Sequence, residues 1–294
     1  LLLVVFLLSG CNKPATETPT EIIPTQDEPT LTQVPETQPP TEPSLPMAVI
    51  VNGEGILLTE YEAELARLQS ALVEGGEEMT PEEQKQRVID NFIDELLLTQ
   101  AASQAGYTVT GEEVQTRIDK MVAELGSAEK LTEWQTRYGY TEDAFRSALA
   151  RAIAVAWQRD EIVNAVPQTA EQIHARQLIF QTEGNASEAL IELNSGVDFS
   201  QLAEAQDPVL KGDLGWFPRG FLTQPVVEEA VFALQPGQTT GVIKSDIGYH
   251  IVNVIERAQD HPLSIEARLM LQEKALADWL VQARTESEIE VLVP

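Results

Sequence analysis

Cysteine is almost absent from this sequence: Cys11 is the single one in 294 residues. That excludes a disulfide framework and any cysteine-based metal site, so the folded part is held together by its core alone. Basic residues are scarce too, 19 Lys and Arg against 47 Asp and Glu, for a formal charge of -28. No basic patch is visible, which argues against a nucleic-acid partner, and an anionic membrane surface would repel the chain rather than bind it. There are only three histidines, at 174, 250 and 261, and no His or carboxylate cluster suggests a metal or a cofactor. The one long apolar run, Leu1 to Leu8, is too short to span a bilayer.

What is present begins with that run. Leu1–Leu8 leads into Ser9-Gly10-Cys11 and reads as the back half of a signal peptide, residues 1–10, whose basic start lies before Leu1. Leu8-Ser9-Gly10-Cys11 resembles a bacterial lipobox, which implies a diacylglycerol on Cys11. Residues 11–46 are then the lipidated cysteine and a linker rich in Thr, Pro, Glu and Gln, with nine of the 17 prolines. With almost nothing to bury, such a segment does not offset its ordering entropy and stays extended. At about 3 Å per residue it reaches on the order of 100 Å.

From Met47 onward the pattern changes to that of a packed chain. Ala48–Val51 and Gly55–Leu58 flank Asn52-Gly53, which predicts a two-residue hairpin. Thr59 with Glu62, and Thr80-Pro81 with Glu83, read as helix starts. Val88, Ile89, Phe92, Ile93, Leu96, Leu97 and Ala101 recur at helical spacing up to Gly106. A third helix from Thr110 carries Val114, Ile118, Met121 and Leu125. A short fourth has Leu131 and Trp134, and a fifth from Thr141 has Phe145, Leu149, Ile153 and Trp157. Each stripe reads as core, over a region set at 47–168.

The next stretch, Ile173 to Arg257, reads as strand, helix, helix, strand, helix, strand, strand. It contains Gly212-Asp213-Leu214-Gly215-Trp216-Phe217 and Ile247-Gly248-Tyr249-His250-Ile251-Val252-Asn253-Val254. These two runs resemble the signature of a parvulin-type prolyl isomerase domain, placed at 172–258. Hairpin, helices, parvulin-like unit and a last helix in 262–294 together resemble the extracytoplasmic foldases of the SurA and PrsA type. The resemblance implies an α+β fold: a mostly helical chaperone domain with an inserted parvulin-like α/β domain, whose four-stranded antiparallel sheet is surrounded by helices. It implies that Ile265, Leu269, Leu276, Trp279, Leu280 and Ala283 carry the last helix back onto the helical domain.

Carried across residue by residue, His250 takes a catalytic histidine position with Tyr249 beside it, and Asp207 the acidic position. Leu222, Val227 and Phe232 fall in the substrate pocket. Gln177 stands where the family places a second histidine facing His250; it donates and accepts at once, as a neutral histidine does. His174 lies three residues away along the strand, hence on the other face, and reads as a surface residue. Asp207 precedes Pro208 and equally suits a turn. The resemblance implies a membrane-anchored isomerase and foldase in the cell envelope, acting on unfolded or newly exported polypeptides containing Xaa-Pro bonds, without a cofactor. Two other readings stay open: a chaperone whose parvulin unit only binds extended segments, and an adaptor tethering a folded partner.

Overall fold

The computed structural model describes residues 45–293. The expected signal peptide, Cys11 and the linker up to residue 44 lie outside the described residues.

Two strands, β1 (Met47–Val51) and β2 (Glu54–Leu57), pair antiparallel around Asn52-Gly53. Both turn residues have positive φ, 51° and 85°, as a type I′ turn requires. Helix α1 (Leu58–Gly75) follows directly, and here the expected Thr59 cap is not found. The Leu58 N–H donates to the Pro46 carbonyl at 2.8 Å, so the hairpin itself satisfies the first free amide and the helix starts before Thr59.

Helices α2 (Pro81–Gln104) and α3 (Gly111–Leu125) each open with a complete capping box, Thr80 with Glu83 and Thr110 with Glu113. They are followed by α4 (Ala128–Arg137) and α5 (Glu142–Asn164). Val88, Phe92, Ile93 and Leu96 of α2 pack with Val49, Val51 and Ile56 of the hairpin. Val114, Ile118, Leu131 and Phe145 form a second apolar cluster.

The α/β unit runs β3 (Thr169–Phe180), α6 (Glu183–Asn194), α7 (Phe199–Gln206), β4 (Asp213–Pro218), α8 (Pro225–Phe232), β5 (Ile243–Ser245) and β6 (Gly248–Pro262). Its sheet has the order β4-β3-β6-β5, every pair antiparallel. Strand alternation sorts the apolar residues onto two faces. Ile173, Ala175, Phe217, Val252 and Val254 meet Val227, Val231 and Phe232 of α8. Leu178 and Ile251 face the other way, against Ala189, Phe199 and Ala203 of α6 and α7. A sheet covered on both sides explains why the central strand reads as a nearly unbroken apolar run.

Beyond the sheet, β3 and β6 continue as a two-stranded ribbon to the pair Thr169 and Pro262. The Gln172 side chain is buried in it and donates to the carbonyls of His261 and Pro262, at 2.7 and 3.0 Å. Helix α9 (Ile265–Glu286) then returns to the helical body, with Trp279 and Ala283 against the hairpin core. Arg284 pairs with Asp90 and Asp94 of α2, at 2.8 and 2.7 Å. Two of the six residues expected on the packed face, Ile265 and Leu269, are exposed instead. They belong to the first turns of α9, next to the ribbon.

The chain does not end in helix. Strand β7 (Ile289–Val291) adds to β1, giving the order β2-β1-β7. Asn52, in the hairpin turn, clasps this return: its N–H donates to the Glu288 carbonyl at 2.9 Å and its Oδ1 accepts from the Glu288 N–H at 3.0 Å. The first and last described segments thus share one sheet, and the α/β unit is inserted between two halves of a helical body. Among the described residues no helix is long and apolar enough to cross a membrane.

Candidate functional site

The candidate site is built on the face of the sheet that α8 covers. His250 is paired with Ile179 on one side and Ile243 on the other, and shares its face with Val252 and Val254. It is only 2% exposed. Its Nε2 lies 2.6 Å from Ser245 Oγ, which also accepts the Ile247 N–H at 3.2 Å. Its Nδ1 is buried and finds no partner among the described residues. In either tautomer one ring nitrogen therefore carries an unmet hydrogen-bonding demand. Burial pushes the His250 pKa below the ordinary histidine value, which keeps the ring neutral at pH 7.

Gln177 pairs with Val252 and so stands on the same face as His250, one diagonal step away. Its side chain does not supply the bond that Nδ1 lacks. The Gln177 N–H donates to the Gly212 carbonyl at 2.8 Å. Gly212 has φ 66°, and a Cβ there would run into the Gln177 carbonyl oxygen, so the turn into β4 closes on β3 only with glycine at this position.

Leu222, Val227 and Phe232 all belong to the apolar cluster on this face. Val227 and Phe232 are each 2% exposed, while Leu222 is half-buried. Val227 and Phe232 are thus core residues of this face, and of the three positions only Leu222 reaches the surface. The Arg219 guanidinium lies over the Phe232 ring, 4.2 Å from its centre.

Three other positions fall outside this arrangement. Tyr249 pairs with Phe180 and Lys244 on the opposite face of β6, because adjacent strand residues point oppositely. Asp207 ends α7 and turns its Oδ1 onto the N–H groups of Val209 and Leu210, at 3.1 and 3.0 Å, which is the turn geometry its Pro208 neighbour suggested. His174 is opposite in face to Gln177, yet it is half-buried rather than a free surface residue. Its Nε2 contacts Asp213 Oδ1 at 2.8 Å and its ring stacks on Trp216 at 5.7 Å. Ser245, the nearest polar neighbour of His250, was not singled out from sequence. The signal was there: a two-residue turn, Asp246-Ile247, places Ser245 opposite Gly248 and so on the His250 face.

Residues 179–256 match the family model of the PPIC-type PPIase domain, and residues 34–158 match that of the SurA-like N-terminal domain. The chain pairs a SurA-like N-terminal domain with a PPIC-type PPIase domain. A foldase protein PrsA of Geobacillus sp. (strain WCH70) is 27% identical over 220 residues, which cover 72% of this SurA/PrsA-like chain and 79% of that protein. A chaperone SurA of Nitrosococcus oceani is 33% identical over 145 residues, 42% of this chain and 34% of that protein. The chain thus spans about a third of the length of that SurA relative. A crystal structure of the peptidylprolyl isomerase PrsA from Bacillus cereus aligns at 18% identity and a TM-score of 0.44, covering 79% of this chain and 83% of that one. The relatives support a foldase or isomerase role for a chain with this pair of domains.

Proposed function

We propose that this SurA/PrsA-like chain is a peptidyl-prolyl cis-trans isomerase and foldase of the cell envelope, anchored through a lipid on Cys11 and acting on newly exported polypeptides. The observation that carries the reading is a buried, neutral His250 on the same sheet face as the apolar cluster of Val227, Val231 and Phe232, and the reading places a proline basin beside half-buried Leu222 at the edge of that cluster. Turning an Xaa-Pro bond means crossing a barrier of about 18–20 kcal/mol set by amide resonance, with no bond broken. An apolar basin holds the pyrrolidine ring and strips water from the planar amide, which favours the twisted, less polar state. A neutral His250 fixed by Ser245 offers a hydrogen-bonding group without charging the basin. Gln177 then acts in orienting the chain rather than in chemistry.

A second reading, binding without catalysis, is favoured by the orphaned Nδ1 of His250 and by a cleft elsewhere. That cleft, of about 1140 Å³, lies in the helical body between α1, α2 and α5 and is lined by Phe92, Leu98, Met121, Trp134 and Tyr140 among others. It suits an extended client segment. Aggregation of an unfolded exported protein, followed by light scattering with wild type and with His250→Ala, separates the two. Foldase action through the isomerase site predicts loss of refolding yield in the variant; equal yields leave only the binding role. Incorporation of labelled fatty acid that disappears in Cys11→Ala tests the anchor.

A further inference from the structure

The loop between β4 and α8 is held from two sides, and neither hold is explained by the site as described. From below, Glu228 in the first turn of α8 takes three successive backbone amides: the Gly220 N–H at 2.7 Å, and the Phe221 and Leu222 N–H groups at 3.0 Å each. One carboxylate thereby fixes the segment that presents Leu222 to the basin. From above, the loop lies against α9. Gly220 has φ 83°, and a Cβ there would sit 3.3 Å from Lys274 Cδ and 3.4 Å from Leu271 Cδ2, so the helix packs directly on the loop backbone. Helix α9 is in turn tied to the helical body, by Arg284 to Asp90 and Asp94 and by Gln272 Nε2 to the Val163 carbonyl at 3.0 Å.

We propose that Glu228 is a positioning residue for the proline basin and that α9 shares this task, so that the helical body sets how tightly the isomerase-like unit grips a proline-containing chain. This inference rests on the basin being the place where proline binds. Phe221 and Leu222 both pack on the apolar cluster beneath the basin, so a shift of the loop moves its wall. A change in α9, on the helical body, is passed to the loop where Leu271 and Lys274 meet Gly220. Glutamine at 228 cannot reproduce the grip, because its amide nitrogen turns donors toward donors.

The test uses the full chain with an Ala-Pro peptide, following peptide affinity by NMR titration and hydrogen exchange at the amides of Gly220, Phe221 and Leu222. Glu228→Gln is expected to speed exchange at those amides and weaken the peptide about tenfold, equivalent to about 1.4 kcal/mol. Any effect on catalysed isomerisation falls on KM rather than kcat. Leu271→Ala is expected to move both readings in the same direction by less, and Leu271→Met, which keeps the volume, to restore them. Faster exchange with unchanged affinity overturns the positioning role of Glu228. Unchanged loop exchange in Leu271→Ala overturns the role of α9. Absence of any peptide binding by wild type removes the isomerase reading and this inference together, whereas binding that ignores both variants removes this inference alone.

Discussion

Replacing Gln177 by histidine tests the empty side of His250. Gln177 and His250 are diagonal neighbours on one face of β3 and β6, so a ring at 177 is placed to meet Nδ1. That nitrogen is buried and unpartnered, a state that costs about 1–3 kcal/mol when the group is fully desolvated. A new hydrogen bond recovers part of this, about 1 kcal/mol net. For a folded part of roughly 250 residues, that amounts to a rise in melting temperature of about 2–4 °C. Calorimetry measures the rise, and ring ¹⁵N shifts of His250 report whether Nδ1 has gained a partner. Accelerated Ala-Pro exchange is expected to increase with them, because the added bond fixes the ring that borders the basin. Unchanged ¹⁵N shifts together with an unchanged melt would show that the orphaned nitrogen is not accessible from β3, and the account of Gln177 as a broken link would fail.

Three further outcomes follow from the same geometry. His250 is buried neutral with its pKa below the ordinary value near 6.5, so below that pH the unfolded chain takes up a proton that the folded chain refuses. Stability therefore falls as pH drops through 6.5 toward the folded pKa, by at most about 1.4 kcal/mol per unit, and chemical denaturation of His250→Asn should lose that slope. Gly212→Ala should destabilise by about 2 kcal/mol or more, from the positive φ and from the collision with the Gln177 carbonyl, as read by a urea midpoint. Arg151 bridges Glu60 of α1 and Glu95 of α2 from a partly buried position on α5. Its replacement by alanine leaves two carboxylates facing each other and should cost about 2–3 kcal/mol, less than a fully buried pair because water reaches the site; a melt unchanged within 2 °C would contradict this.

Local chemistry was legible in the residues themselves. Thr80 with Glu83, Thr110 with Glu113 and Asn52-Gly53 form the boxes and the turn that their spacing predicts, because each depends on partners within three residues. The seven-element order of the α/β unit was readable for a similar reason, since most of its turns carry glycine or proline. Features decided by distant parts of the chain were not. The start of α1 depends on Pro46 across the hairpin, β7 exists because β1 offers an edge, and the exposure of Ile265 and Leu269 reflects where the ribbon ends. Within the site, strand parity placed Gln177 and His250 on one face and His174 on the other. The same parity, applied to Tyr249, would have set it apart from His250 at once. Ser245 and Glu228 act through bonds to a histidine ring and to backbone amides, and only the Ser245 bond had a local signal.

Exchange spectroscopy on an Ala-Pro peptide, comparing the full chain with His250→Ala, tests the central claim most directly. The account predicts that wild type accelerates cis/trans exchange measurably above the uncatalysed rate and that His250→Ala loses this acceleration while still folded. An uncatalysed rate at high concentrations of wild type would contradict the isomerase assignment, and equal acceleration by both proteins would contradict the assignment of the site to His250.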